Sequence, residues 1–181
     1  MNFKKMFGRE SGNGEVYQEY TLDTIKKGYL VDYDLKTWEV TGYNIYDYDG
    51  FLTQEWELRC GEEMHFLERA EEDGQVEWTL TRKIHVNQIE GDLIDEILNS
   101  DDPPEEIHYE GRLYTAVESG AGIQRQGGEE AGREFVSWSY EAGEDRVLFI
   151  TQWGERDFAA YEGTSVEAYQ FTDILPAGQD S

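Results

Sequence analysis

The stretch that most constrains this chain is LTQEWELRC at 52 to 60, in which Leu52, Gln54, Trp56, Leu58 and Cys60 alternate with Thr53, Glu55, Glu57 and Arg59. A period of two sends these sets to opposite faces of an extended strand, one face apolar and one acidic. Comparable runs fill most of the chain. The first half holds LVDY (30 to 33), TWEV (37 to 40), NIYDY (44 to 48), MHFLERA (64 to 70) and VEWTLTRKIHV (76 to 86). Turn residues separate them at DL (34 and 35), DYDG (47 to 50), CGEE (60 to 63) and EEDG (71 to 74), so consecutive antiparallel hairpins are expected.

EGDLIDEILNSDDPPEE (90 to 106) breaks the pattern, because Leu93, Ile94, Ile97 and Leu98 have helical spacing. Asp92 stands where a cap belongs, and Pro103 and Pro104 stop the helix, which is expected over about 91 to 99. Strand patterns return at IHYEGRLYTAVES (107 to 119), REFVSWSYE (133 to 141), RVLFITQW (146 to 153), RDFAAYE (156 to 162) and VEAYQFTDIL (166 to 175). The second β region echoes the first. At an offset of 82, Trp56 falls on Trp138, Leu58 on Tyr140, Gly61 on Gly143 and Glu62 on Glu144.

The expectation is a mainly β chain of two successive small antiparallel β lobes, barrel-like or curved sheets, with a pseudo-repeat as one reading of them, joined by a short helix. Its division is a basic start and linker at 1 to 15, a first lobe at 16 to 89, a helical connector at 90 to 106, a second lobe at 107 to 176 and a polar tail at 177 to 181.

Charge narrows the classes of partner. With 15 basic and 40 acidic residues the formal net charge is -25, a field that repels phosphate, so nucleic-acid binding is not expected. The start MNFKKMFGR is the exception: Lys4 and Lys5 beside Phe3 and Phe7 would suit a weak peripheral membrane or partner contact. The lone Cys60 has no partner for an internal disulfide, which points to a reducing compartment, here the cytoplasm. No run is long and apolar enough for a transmembrane helix.

The run from Lys26 to Leu80, with Gly28, Val40 and Gly42, Trp56 and Glu57, and Phe66 and Leu67 at its marked positions, resembles the bacterial domain-of-unknown-function family 4178. Gly28 is followed by Tyr29 where many members have aspartate, and the second lobe resembles the family more loosely. The resemblance implies a β-rich bacterial cytoplasmic protein with an accessory or adaptor role, linked to membrane stress. It implies no catalytic residue.

The chemical constellations add little. Setting Gly50 of DYDG as the sixth position of a calcium loop puts Ile45 first and Trp56 twelfth, where carboxylates are required. His65, His85 and His108 are 20 and 23 residues apart, and Cys60 has no neighbouring cysteine, so neither metal nor cofactor is expected. GAGIQRQGG (120 to 128) lacks the third glycine of a phosphate loop and reads as a mobile connection in which Arg125 could meet a small anion. Ser137 and Ser139 flank Trp138 without a glycine elbow.

What remains is a wealth of acids and aromatics. Glu55, Glu57, Glu62, Glu63 and Glu68 are the candidate carboxylates for acid–base work. Trp56, Trp78 and Trp138, with Arg125, are the candidates for a ligand or partner surface. The function expected is a non-enzymatic binding or adaptor module with a protein partner. The alternatives are a small enzyme using carboxylates in an inter-lobe cleft, and an acidic mimic of nucleic acid.

Overall fold

The computed structural model describes residues 20–178. The chain runs through β1 (Leu30–Tyr33), β2 (Lys36–Tyr48), β3 (Phe51–Cys60), β4 (Glu63–Glu72), β5 (Gln75–Ile84), α1 (Leu93–Ser100), β6 (Glu106–Tyr109), β7 (Arg112–Gln126), β8 (Arg133–Ala142), β9 (Arg146–Gly154), β10 (Asp157–Val166) and β11 (Thr172–Leu175). Every pairing is antiparallel, in the order β11-β1-β2-β3-β4-β5-β10-β9-β8-β7-β6. A further pairing of β2 with β7, from Asn44 opposite Gln126 to Asp47 opposite Ile123, joins the eight central strands into a ring.

Among the described residues the fold is therefore one closed eight-stranded barrel with three extra strands and one helix, and the expected pair of lobes is corrected to that single closure. The cause lies in β7. GAGIQRQ was expected to be a mobile connection, yet through Gln126 it is strand. Its glycines allow the close approach that closes the ring: a Cβ on Gly122 would stand 2.3 Å from the Asp47 carbonyl oxygen. Arg125 then reaches Asp47 at 3.1 Å.

Two other boundaries differ from expectation. TWEV and NIYDY are one strand, β2, because the chain absorbs Thr41 as a bulge between Val40 and Gly42 instead of turning there. VEAYQFTDIL is a 3-10 turn at Ala168–Gln170 followed by the short β11. The helix forms as read, starting after Asp92 and ending with Asp101 in a left-handed conformation.

Alternation assigns the faces. Trp56, Leu58, Leu67 and Leu80 point out of the barrel and pack with Leu22, Ile25, Val31, Trp38 and Phe171 as one buried cluster. Trp138, Tyr140, Leu148 and Ile150 also point outward and pack under Leu93, Ile97, Ile107 and Ile89 as a second. Segments at either end of the described residues and the helical connector thus cover an apolar barrel exterior, while the carboxylates of β3 and β4 turn inward together with several aromatic rings. Each cover is anchored by an indole: Trp56 Nε1 donates to the Ile25 carbonyl at 3.0 Å and Trp138 Nε1 to Asp102 Oδ1 at 3.2 Å. Between the covers, buried Glu162 on β10 is held by Arg82 at 3.5 Å and by Arg146, which compensates a carboxylate that could not remain there alone.

The halves also share pairing registers. Val31 opposes Trp38 and Ile107 opposes Tyr114; Val40 opposes Leu58 and Ala116 opposes Tyr140. One residue beyond each of the latter pairs a bulge follows, at Thr41 and at Val117.

Among the described residues no helix is long and apolar enough to cross a membrane.

Candidate functional site

The barrel interior is the concave part of the molecule. Its rungs follow from the ladder: Asn44 opposes Glu55, Glu55 opposes Glu68, and Glu68 opposes Thr79. The next rung runs from Gly42 through Glu57 and Phe66 to Thr81. Inward-facing residues of β7 to β10 complete the wall, among them Phe135, Ser137, Phe149, Trp153 and Tyr161.

Two cavities occupy this lumen, each lined from all eight strands. The wider is about 800 Å³ and the narrower about 260 Å³. The wide cavity carries Glu68, Glu72, Asp73, Glu77, Glu118 and Glu141 and no lysine or arginine. Tyr48, Phe51 and Phe149 supply its aromatic surface. The narrow one is bordered by Asn44, Tyr46, Glu55, Glu57, Phe66 and Tyr161, with Lys83 and Arg133 among its other lining residues. Arg133 is already engaged, paired with Asp157 and lying 5.0 Å over the Trp153 ring.

Aromatic contacts stiffen the interior. Phe135 meets Tyr46 edge-on at 5.3 Å and Tyr48 at 5.1 Å, and Phe66 meets Tyr161 at 5.2 Å.

The electrostatics are those of carboxyls withdrawn from bulk water. Glu55 accepts from Asn44 Nδ2 at 2.9 Å and from the Tyr46 hydroxyl at 3.2 Å, but burial, with the charge of Glu68 adding to it, pushes it up to about 7. Burial likewise pushes Glu68 up to about 7, against a long contact from Thr53 Oγ1 at 3.5 Å. The Tyr46 and Tyr48 hydroxyls are held far above the usual phenol value, again chiefly by burial, and Tyr161 is pushed up to about 12. At neutral pH these phenols are donors, and the two carboxyls are shared between charged and protonated forms.

The candidates from sequence divide sharply. Trp56, Trp78 and Trp138 are 1%, 8% and 5% exposed and sit in the outer clusters or at their edge, so an exposed aromatic groove does not form from them. Arg125, 30% exposed, is committed to Asp47 at 3.1 Å. Glu63 pairs with Lys36 at 2.7 Å on the surface, and Glu62 sits in the β3–β4 turn. Glu55, Glu57 and Glu68 are brought together inside the barrel. Phe3, Lys4, Lys5 and Phe7 lie outside the described residues.

His65 stacks on Trp38 at 4.4 Å, and His85 accepts the Asn87 amide at the start of a 3-10 turn. Among the described residues no three His, Cys, Asp or Glu side chains cluster as a metal site. Asn44, Tyr46 and Tyr48 went unremarked as site residues in the sequence. Their signal was the period of two shared with Glu55 and Glu57, which put them on the same inward face once β2 and β3 pair.

The family model described as Domain of unknown function (DUF4178) matches residues 26–168. The chain belongs to the DUF4178 family. The match spans both halves of the barrel, and so extends beyond the run of 26 to 80 that carried the resemblance. This DUF4178 chain is also similar to an uncharacterized protein of Aquifex aeolicus (strain VF5), 26% identical over 174 residues and covering 96% of each chain. No solved structure matches it.

Proposed function

We propose that this chain is a non-enzymatic binding protein whose barrel lumen takes a small organic cation through the wider cavity. The observation that carries the reading is the lining of that cavity, six acids without one base around an aromatic surface. Glu68 lies inside this cavity while Glu72, Asp73, Glu77, Glu118 and Glu141 are exposed around its mouth, so their charges repel, and a bound cation relieves that repulsion while aromatic faces add cation–π attraction. Eight-stranded barrels are wide enough to hold one small ligand.

The test is thermal unfolding of the chain with matched organic cations, anions and neutral analogues at low salt. Cations alone are expected to raise the midpoint; equal shifts from neutral analogues would overturn the reading.

The second reading is acid–base catalysis in the lumen. Its support is the pair Glu55 and Glu68, directly opposed on adjacent strands and both near neutrality, where a carboxyl can give or take a proton. Glu55→Gln separates the two: ligand affinity that survives without any turnover in the parent favours binding, and turnover abolished by the substitution favours the enzyme.

The adaptor role belongs to the same proposal. It is supported by the basic, aromatic start with Phe3, Lys4, Lys5 and Phe7, set against a strongly acidic body. Co-sedimentation of the full chain with anionic vesicles, compared with a chain lacking residues 1 to 9, is expected to fall on truncation; equal partitioning removes the membrane contact.

The shared registers support a finer reading, that the barrel arose by duplication of a five-strand unit, β1 to β5 and β6 to β10. On that reading Glu55, Glu57 and Glu68 correspond to Ser137, Ser139 and Thr151, so an acidic wall faces a hydroxyl wall.

A further inference from the structure

Two apolar side chains stand uncovered in the mouth of the wide cavity, Phe51 at 40% exposed and Val117 at 58%. The backbone puts them there. Phe51 opens β3 directly after the Asp49–Gly50 turn, and Val117 is the bulged residue between Ala116 and Glu118, so that it and Glu118 both line the entrance. Glu72, Asp73, Glu118 and Glu141 are exposed beside them, with no lysine or arginine in the lining. The mouth is thus an apolar surface in water, ringed by charge of one sign.

Part of this chain has the complementary composition. MNFKKMFGR, outside the described residues, holds Phe3, Met6 and Phe7 together with Lys4, Lys5 and Arg9, and no acid. Such a segment buries its rings against the apolar mouth while its cations offset the rim. The narrow chamber at the other end does not suit it, because Lys83 and Arg133 stand in that lining.

The connection is long enough. Tyr20, the first described residue, packs its ring on Tyr29 at 5.7 Å, and the Tyr29 carbonyl accepts the Val40 amide at 2.8 Å. From Val40 to Tyr48 at the cavity β2 advances eight residues, about 27 Å. The ten residues from Glu10 to Glu19 span up to about 35 Å.

We infer that residues 3–9 of this same chain seat on the mouth of the wide cavity, with Phe3 and Phe7 against Phe51 and Val117 and the three cations among Glu72, Asp73, Glu118 and Glu141. The contact is an intrachain strap over the entrance. It goes beyond the cation reading, which concerns the lumen beneath, and it stands without that reading.

The test is paramagnetic broadening in the full chain, with a nitroxide on Met6→Cys in a Cys60→Ser background whose amide spectrum matches the parent. Phe51, Val117 and Glu118 are expected to lose amide intensity, while Lys83 and Arg133 at the other end keep theirs. Reversing the charges, with Lys4→Glu, Lys5→Glu and Arg9→Glu, is expected to restore the lost intensity.

Full intensity at the mouth in the nitroxide-bearing chain, or a loss that survives charge reversal, overturns the strap. So does an equal loss in isotope-labelled chain without nitroxide when it is mixed with nitroxide-bearing chain, which would assign the mouth to a second copy. Thermal unfolding of the charge-reversed chain with organic cations tests the lumen separately, so either reading can fail without the other.

Discussion

Opposite walls of the barrel, β3 with β4 and β8 with β9, turn different chemistry inward. β3 and β4 present Glu55, Glu57 and Glu68, whereas β8 and β9 present Ser137, Ser139 and Thr151. Outside, the halves agree: each has a tryptophan on its central strand, donating its indole N–H to the segment that covers it. The contrast teaches that exterior and interior are separate problems for this fold. The exterior is fixed by the need to bury apolar area under a cover, while the lumen, which contributes less packing, is free to specialise.

That comparison can be broken from the outside first. Trp56→Ala and Trp138→Ala are each expected to cost about 4 kcal/mol, the range for deleting a large buried aromatic. If the closed barrel couples the two clusters, both variants lower one common transition in urea, followed by far-ultraviolet circular dichroism and by fluorescence of the remaining tryptophans. Two separated transitions would show that the halves unfold independently.

The acidic wall is the next lever. Glu55 and Glu68 are raised from an ordinary 4.5 to about 7, so the folded chain holds their protons to higher pH than the unfolded chain does. Below about pH 4.5 neither group penalises folding; between 4.5 and 7 stability falls as pH rises, and above 7 the penalty is complete. Converting the acidic wall to its opposite number, with Glu55→Ser and Glu68→Thr, is expected to flatten that slope and raise stability at alkaline pH by several kcal/mol. Urea unfolding across the pH range reads this directly, and an unchanged slope would place the titrating groups elsewhere.

The smallest effect concerns the first turn of each half. Asp34 and Leu35 have φ of 48° and 61°, and Glu110 and Gly111 have 49° and 71°. A two-residue hairpin turn of this type needs left-handed backbone at both positions, which Gly111 adopts freely and Leu35 does not. Leu35→Gly is expected to stabilise the chain by about 1 kcal/mol in thermal unfolding, making the first turn resemble the second. A loss of stability would mean that Leu35 contributes packing despite its full exposure.

Much of the wall was legible in the sequence because strand pairing here is largely between neighbours. Alternation at LTQEWELRC sends Trp56 one way and Glu55 and Glu57 the other, and that is what the structure has. Closure was not legible, because β2 and β7 pair across nearly eighty residues and the glycines of the closing segment look like a loop until a strand is found to cross them. Nor does alternation say which face becomes the inside. In most small barrels the apolar face is enclosed, and here it is the acidic one, so Glu55 and Glu68 looked no different from the other acids of a highly charged chain. Asn44 was hidden for the same reason.

The two tails of the fold cross over. Ile89, just after the first half, bridges to Tyr109 of the second, and β11, which ends the second half, pairs with β1 of the first. During synthesis β1 therefore leaves the ribosome with one edge unsatisfied until residues 172 to 175 have followed it. An open strand edge is a template for pairing with other chains. Mutual repulsion from the heavy negative charge of this sequence would oppose such pairing between nascent copies during that interval.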